Sequence, residues 1–152
     1  MGGFKGKERW EKMAAVLLSV LIIGGCSSIK YAYDMKTNFS DQKSYAWAPL
    51  PLYQPNHLLE KNVQDLADPI LARKGFTKAA EGADLLMALD YESEGYNRQS
   101  GYRIQMLTLN IYETGNSELV WRGTAFGSID TDAASDDLKD AVQRILANFP
   151  PK

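Results

Sequence analysis

The sequence predicts an α+β fold: a largely antiparallel sheet of about five strands with two helices packed on one face, in the order β-β-α-β-β-β-α. Three observations carry this. Apolar residues alternate at a period of two in several short segments. They recur at helical spacing in two longer ones, near 58–74 and 135–149. Thr114-Gly115-Asn116-Ser117 joins two of the alternating segments as a tight turn, which requires antiparallel neighbours.

The first strand is expected over 31–37, where Tyr31, Tyr33 and Met35 alternate with Ala32, Asp34 and Lys36. The turn formers Asn38, Ser40 and Asp41 follow, then a short strand over 43–48 built on Tyr45 and Trp47. Pro49, Pro51 and Pro55 make the next segment an irregular loop that carries His57. Residues 58–74 place Leu59, Val63, Leu66, Ala67, Ile70 and Leu71 on one stripe of a helix. Pro69 is expected to kink or split it near Ala67–Asp68, and Gly75 to stop it. Strands are expected over 84–92, 102–113 and 118–128, with 93–101 a polar, mobile loop. In the last strand Trp121, Gly123 and Ala125 share one face, Arg122, Thr124 and Phe126 the other. The final helix begins at the N-cap Ser135, with Asp136 and Asp137 on its positive end, and Pro150-Pro151 forbids its continuation.

Composition narrows the function. With 152 residues the chain fits one domain. A net charge of -2 and a pI near 5.4 disfavour a general nucleic-acid binder, so no nucleic-acid partner is expected. One cysteine and one histidine exclude a disulfide within the chain and leave little for a Cys/His zinc site. No metal or other cofactor is expected.

Residues 1–25 read as an address ahead of the domain. Lys5, Lys7, Arg9 and Lys12 outweigh Glu8 and Glu11, giving a positive head. Residues 13–23 are apolar for about eleven residues, the length of a secretory signal core and about half that of a membrane span. Ile23-Gly24-Gly25-Cys26 then resembles the bacterial lipobox, with Ile23 where Leu is usual. The resemblance implies cleavage before Cys26 and lipidation of its thiol, leaving a mildly acidic mature chain held by acyl chains. Ser27 in place of Asp implies the outer membrane for a Gram-negative host, with the domain facing the periplasm. Residues 26–30 form a short tether and 31–152 the domain, within roughly 20 Å of the bilayer.

A set of short pieces runs through the domain: Asp34, Phe39, Tyr45-Ala46-Trp47, Lys74-Gly75-Phe76 and Ala83-Asp84-Leu85-Leu86. Leu119-Val120-Trp121-Arg122-Gly123-Thr124-Ala125 and Asn148-Phe149-Pro150-Pro151 complete it. In their order and spacing, over nearly all of the domain, these pieces resemble the DUF4136 family of bacterial envelope lipoproteins. Met87, Ala88 and Pro69 depart from the pattern. The resemblance implies no catalytic residues.

Residue patterns offer few sites. Trp121 beside Arg122 suits the grip of a carboxylate or phosphate, although alternation favours Trp121 in the core and Arg122 in solvent. Tyr31, Tyr33, Tyr45 and Trp47 could line an aromatic cleft or form the apolar face of the sheet. Asp130-Thr131-Asp132 lacks the glycine and closing glutamate of a calcium loop. His57 has no acid or nucleophile near it, and no nucleophile elbow or S-x-x-K motif occurs. Glu60, Glu92 and Glu94 give no reason in sequence to be singled out. Tyr96, Asn97 and Arg98 suit contact with a partner. The expected function is therefore a membrane-anchored, non-catalytic module that binds an envelope protein or peptide. The alternatives are a hydrolase or ligand-binding enzyme and a structural subunit of an envelope complex.

Overall fold

A computed structural model describes residues 28–49, 56–97 and 101–151, with the side chains of 95–97 left out. Residues 1–25, Cys26 and Arg98 lie outside the described set. The elements are β1 (Ser28–Tyr33), β2 (Ser44–Trp47), α1 (His57–Arg73), β3 (Thr77–Lys78), β4 (Leu85–Asn97), β5 (Gly101–Glu113), β6 (Leu119–Asp130) and α2 (Asp136–Ala147). One six-stranded sheet runs β1-β6-β5-β4-β2-β3. The α+β class is as expected. The sheet is mixed: β1, β6, β5 and β4 are antiparallel neighbours, while β2 runs parallel to both β4 and β3. The parallel pairing follows from chain path, since α1 returns the chain across one face between β2 and β4.

Both helices lie on that face. Val63, Ala67 and Leu71 of α1 and Leu138, Val142, Ile145 and Leu146 of α2 meet Leu85 and Met87 of β4, Leu107, Leu109 and Ile111 of β5, and Trp121 and Ala125 of β6. Asn56 caps α1 through its side chain on the Leu59 N–H, and Ser135 caps α2 on the Asp137 N–H. Gly75, at φ +90°, ends α1 in a conformation that a side chain would strain.

Several boundaries depart from expectation. β1 begins at Ser28 and ends at Tyr33, because Asp34 closes a turn by accepting from the Lys36 N–H at 3.0 Å. The helix passes through Pro69 unbroken. Pro69 is exposed, so the carbonyl it leaves without a donor is on the solvent side. The segment expected as a loop at 93–101 is largely strand: β4 continues to Asn97 and β5 starts at Gly101, after register shifts at Glu92, Ser93 and Gly95. His57 opens α1 instead of sitting in the preceding loop.

Among the described residues the opposite face of the sheet carries no helix, and it is knit by side chains. Thr108 and Thr124 share a hydroxyl hydrogen bond at 2.9 Å. Arg122 Nε donates to Asn110 Oδ1 at 2.6 Å. Lys30 Nζ stands 5.2 Å from the centroid of the Phe126 ring.

Candidate functional site

The sequence-stated candidates scatter when placed on this frame. Trp121 is 1% exposed and sits between sheet and helices, its ring against Phe149 at 5.3 Å and Tyr31 at 6.0 Å. Arg122 projects to the opposite, open face. The two therefore form no joint site, because alternation along β6 separates them by the thickness of the sheet. Gly123 explains how the indole fits. A Cβ there would come within 2.3 Å of Trp121 Cη2 and 3.0 Å of Ile145 Cγ2, so only glycine leaves room for the ring. Tyr31 and Tyr33 lie on β1 at one edge of the sheet, Tyr45 and Trp47 on β2 toward the other, with β6, β5 and β4 between. They line no common cleft. Tyr96 belongs to β4, and its side chain is outside the described set, as is Arg98.

Tyr45 and Trp47 instead converge on a hub that sequence reasoning missed. Tyr45 Oη and Trp47 Nε1 both donate to Asp68 Oδ1, at 2.9 and 2.8 Å, and Lys78 Nζ donates to Asp68 Oδ2 at 2.8 Å. Burial pushes the Asp68 carboxyl up, but the donors Lys78, Trp47 and Tyr45 outweigh it and hold the group below its ordinary value. Burial, with Asp68 as a second cause, pushes the Tyr45 phenol well up. Asp84 plays a like part at the start of β2. Its Oδ2 accepts from the Lys43 and Ser44 N–H groups and the Ser44 hydroxyl, each at 2.8 Å. The Lys43 N–H is the largest cause of its lowered pKa, and Ser44 follows.

A less satisfied group lies under the N-terminus of α1. Glu60 is 2% exposed, and among the described residues its Oε2 has no hydrogen-bond partner; Tyr91 Oη is buried beside it. Burial raises the Glu60 pKa, against a smaller lowering by His57. Burial also raises that of Tyr91, with the Glu60 charge as the next cause. A signal for Glu60 was present: it shares a helical stripe with Val63, Ala67 and Leu71. Nearby is an open hollow of about 530 Å³, lined by Asn56, Leu58, Asn62, Tyr102 and the Asp130–Ala133 turn. Asn62 Nδ2 holds that turn by donating to the Thr131 carbonyl at 3.1 Å.

The remaining acids are engaged locally. Asp130 and Asp132 accept from the N–H groups of Asp132 and Ala134, at 3.0 and 2.8 Å, and Arg103 bonds Asp137 at 2.9 Å. Among the described residues no three His, Cys, Asp or Glu side chains converge as a metal site. None of these arrangements pairs a nucleophile with a base. What they can do is hold elements together.

Comparison with known proteins bears on identity. The model of the domain of unknown function DUF4136 matches residues 29–151. The chain belongs to the DUF4136 family. A solved DUF4136 family protein from Bacteroides thetaiotaomicron shares its fold, with a TM-score of 0.61 and 14% identity over 84% of this chain and 97% of that one. The PelC dodecamer from Paraburkholderia phytofirmans is similar at a TM-score of 0.56 and 14% identity, over 79% and 96%. A PDZ domain protein from Parabacteroides distasonis reaches 0.63 at 16% identity over 83% of this chain, which spans only 36% of that longer one. At these identities the likeness shows the fold alone. A search of curated proteins finds no match. The residues by which this DUF4136 domain is recognised have structural duties. Asp84 staples β2 to β4, Phe39, Phe76 and Trp121 pack around Phe149, and Gly123 seats the indole.

Proposed function

We propose that this DUF4136 protein is a lipoprotein of the bacterial envelope. It is anchored through Cys26 to the outer membrane of a Gram-negative host and serves as a non-catalytic binding module facing the periplasm. The observation that carries the reading is one of order. A positive head, a short apolar core and Gly24-Gly25-Cys26 precede the first strand, and that strand begins only two residues after the cysteine. The leader lies ahead of the family's own span, which starts at Ile29. Among the described residues no helix is long and apolar enough to cross a membrane.

The binding role is supported by the surface. Exposed Tyr33, Met35 and Leu58 border shallow hollows, while the polar clusters are spent on joining strands to helices. An envelope protein or peptide is the partner class this fits. The test is mass spectrometry of the native amino terminus together with fractionation of Cys26→Ser. A diacylglyceryl group on Cys26, and a folded Cys26→Ser domain released from membranes, are expected. An intact unacylated amino terminus, or unchanged membrane retention of the variant, would overturn the reading.

A further inference from the structure

Among the described residues β1 is a free edge of the sheet. Asp34 N–H bonds the Val120 carbonyl at 3.0 Å, which fixes the phase of the β1–β6 ladder. Ser28, Lys30 and Ala32 therefore turn their backbone groups toward β6, and Ile29, Tyr31 and Tyr33 turn theirs outward. Among the described residues those outward groups bond to no other strand. The edge has no proline and no bulge, the usual devices that blunt one; only Lys30 serves that end.

We infer that β1 forms an antiparallel pair with β1 of a second copy, centred on Tyr31. That register satisfies the backbone, with about six new hydrogen bonds from Tyr31 opposite Tyr31 and Ile29 opposite Tyr33 on either side. It also suits the side chains. Beside the edge a hollow of about 380 Å³ lies between Tyr31, Tyr33, Ala147, Asn148, Pro150 and Pro151. Directly paired residues share a face, so Ile29 of the second copy arrives next to Tyr33, over that hollow. Tyr33 is 48% exposed in the single chain and gains cover there. On the open face Lys30 meets Ala32, so like charges are not opposed.

The symmetry is compatible with a shared membrane. The two-fold axis stands perpendicular to the sheet, which brings both chain starts to one level although they lie at opposite ends of the paired strands. This inference does not depend on the lipid anchor. The contact is small, so a concentration-dependent dimer is expected, not an obligate one.

The Lys30–Ala32 pairing supplies the test. Ala32 is exposed, and a charge placed there is accommodated without disturbing the core. Ala32→Glu would face Lys30 of the second copy twice, and Ala32→Lys would repel it twice. The full chain and both variants, purified in detergent, are compared by sedimentation over a range of concentrations, with amide hydrogen exchange read at 28–33. The expected result is a dimer that Ala32→Glu tightens and Ala32→Lys loosens, each several-fold. The Ile29, Tyr31 and Tyr33 amides should become protected only as the dimer forms, while Lys30 and Ala32 stay protected throughout. A monomer at all concentrations, a larger ring, a dimer indifferent to both charges, or free exchange of the three outward amides in the dimer would overturn it.

Discussion

Trp121 is buried on every side, yet among the described residues its indole Nε1 finds no hydrogen-bond partner. Its place is therefore held by shape, through Gly123 beneath it and Phe149 beside it. Trp121→Ala should cost about 3–5 kcal/mol, the range for emptying an aromatic core position, read as a shift in the chemical denaturation midpoint. A near-zero change would show that the ring is not the keystone its burial implies. Glu60 poses the reverse case, a charge where the packing wants none. Its folded pKa lies above the ordinary value of 4.5, so the native state holds its proton longer than the unfolded chain. The native state is thus at no disadvantage below the unfolded value and loses stability as pH rises through the folded one. Glu60→Gln should then match the parent near pH 4 and exceed it in stability at pH 7.5. Urea unfolding at the two pH values checks this; equal midpoints at both would refute it.

At the level of elements, the hub at Asp68 joins α1 to β2 and β3 through Tyr45, Trp47 and Lys78. Asp68→Ala leaves the Tyr45 hydroxyl and Trp47 indole without their acceptor and should cost about 2–4 kcal/mol, read by thermal melting. Lys78→Ala, at the exposed end of the same hub, should cost much less. This hub also shows where sequence reading stops. Tyr45 and Trp47 were legible as strand residues, and α1 as a helix, because each has its own period. That α1 crosses β2 at Asp68, 21 residues beyond Trp47, is a matter of tertiary path and leaves no local pattern. β3 is two exposed residues and has no periodicity to detect. Register shifts at Glu92, Ser93 and Gly95 interrupt the alternation of β4, and Tyr96 and Asn97 with Gly101 and Tyr102 extend past the pairing with β6, so the segment lacks the apolar period that marks a half-buried strand. Glu60 lies on a visible stripe, yet its residue type argues against burial, so sequence alone does not single it out. The family motif was legible as a set, while its duties, stapling and seating, needed the coordinates.

On the scale of the whole molecule, three of the sheet's strands are local and one is not. β4, β5 and β6 follow one another through tight connections, a meander that can assemble as it is made. Among the described residues β1 pairs only with β6, so Tyr33 waits for Trp121 before it has a place. A longer stretch, 113 residues, separates Tyr31 from Arg144, whose carbonyl its hydroxyl reaches. In a chain that crosses a membrane amino end first, residues 28–33 must therefore stay extended and unpaired until almost all of the domain has followed. That interval is when the neighbouring thiol would be modified and the leader removed, both of which need slack, accessible backbone. On the lipoprotein reading proposed above, a sheet closed by the strand nearest the cleavage point would make completion of the fold the last event of export, after the processing enzymes have had their turn.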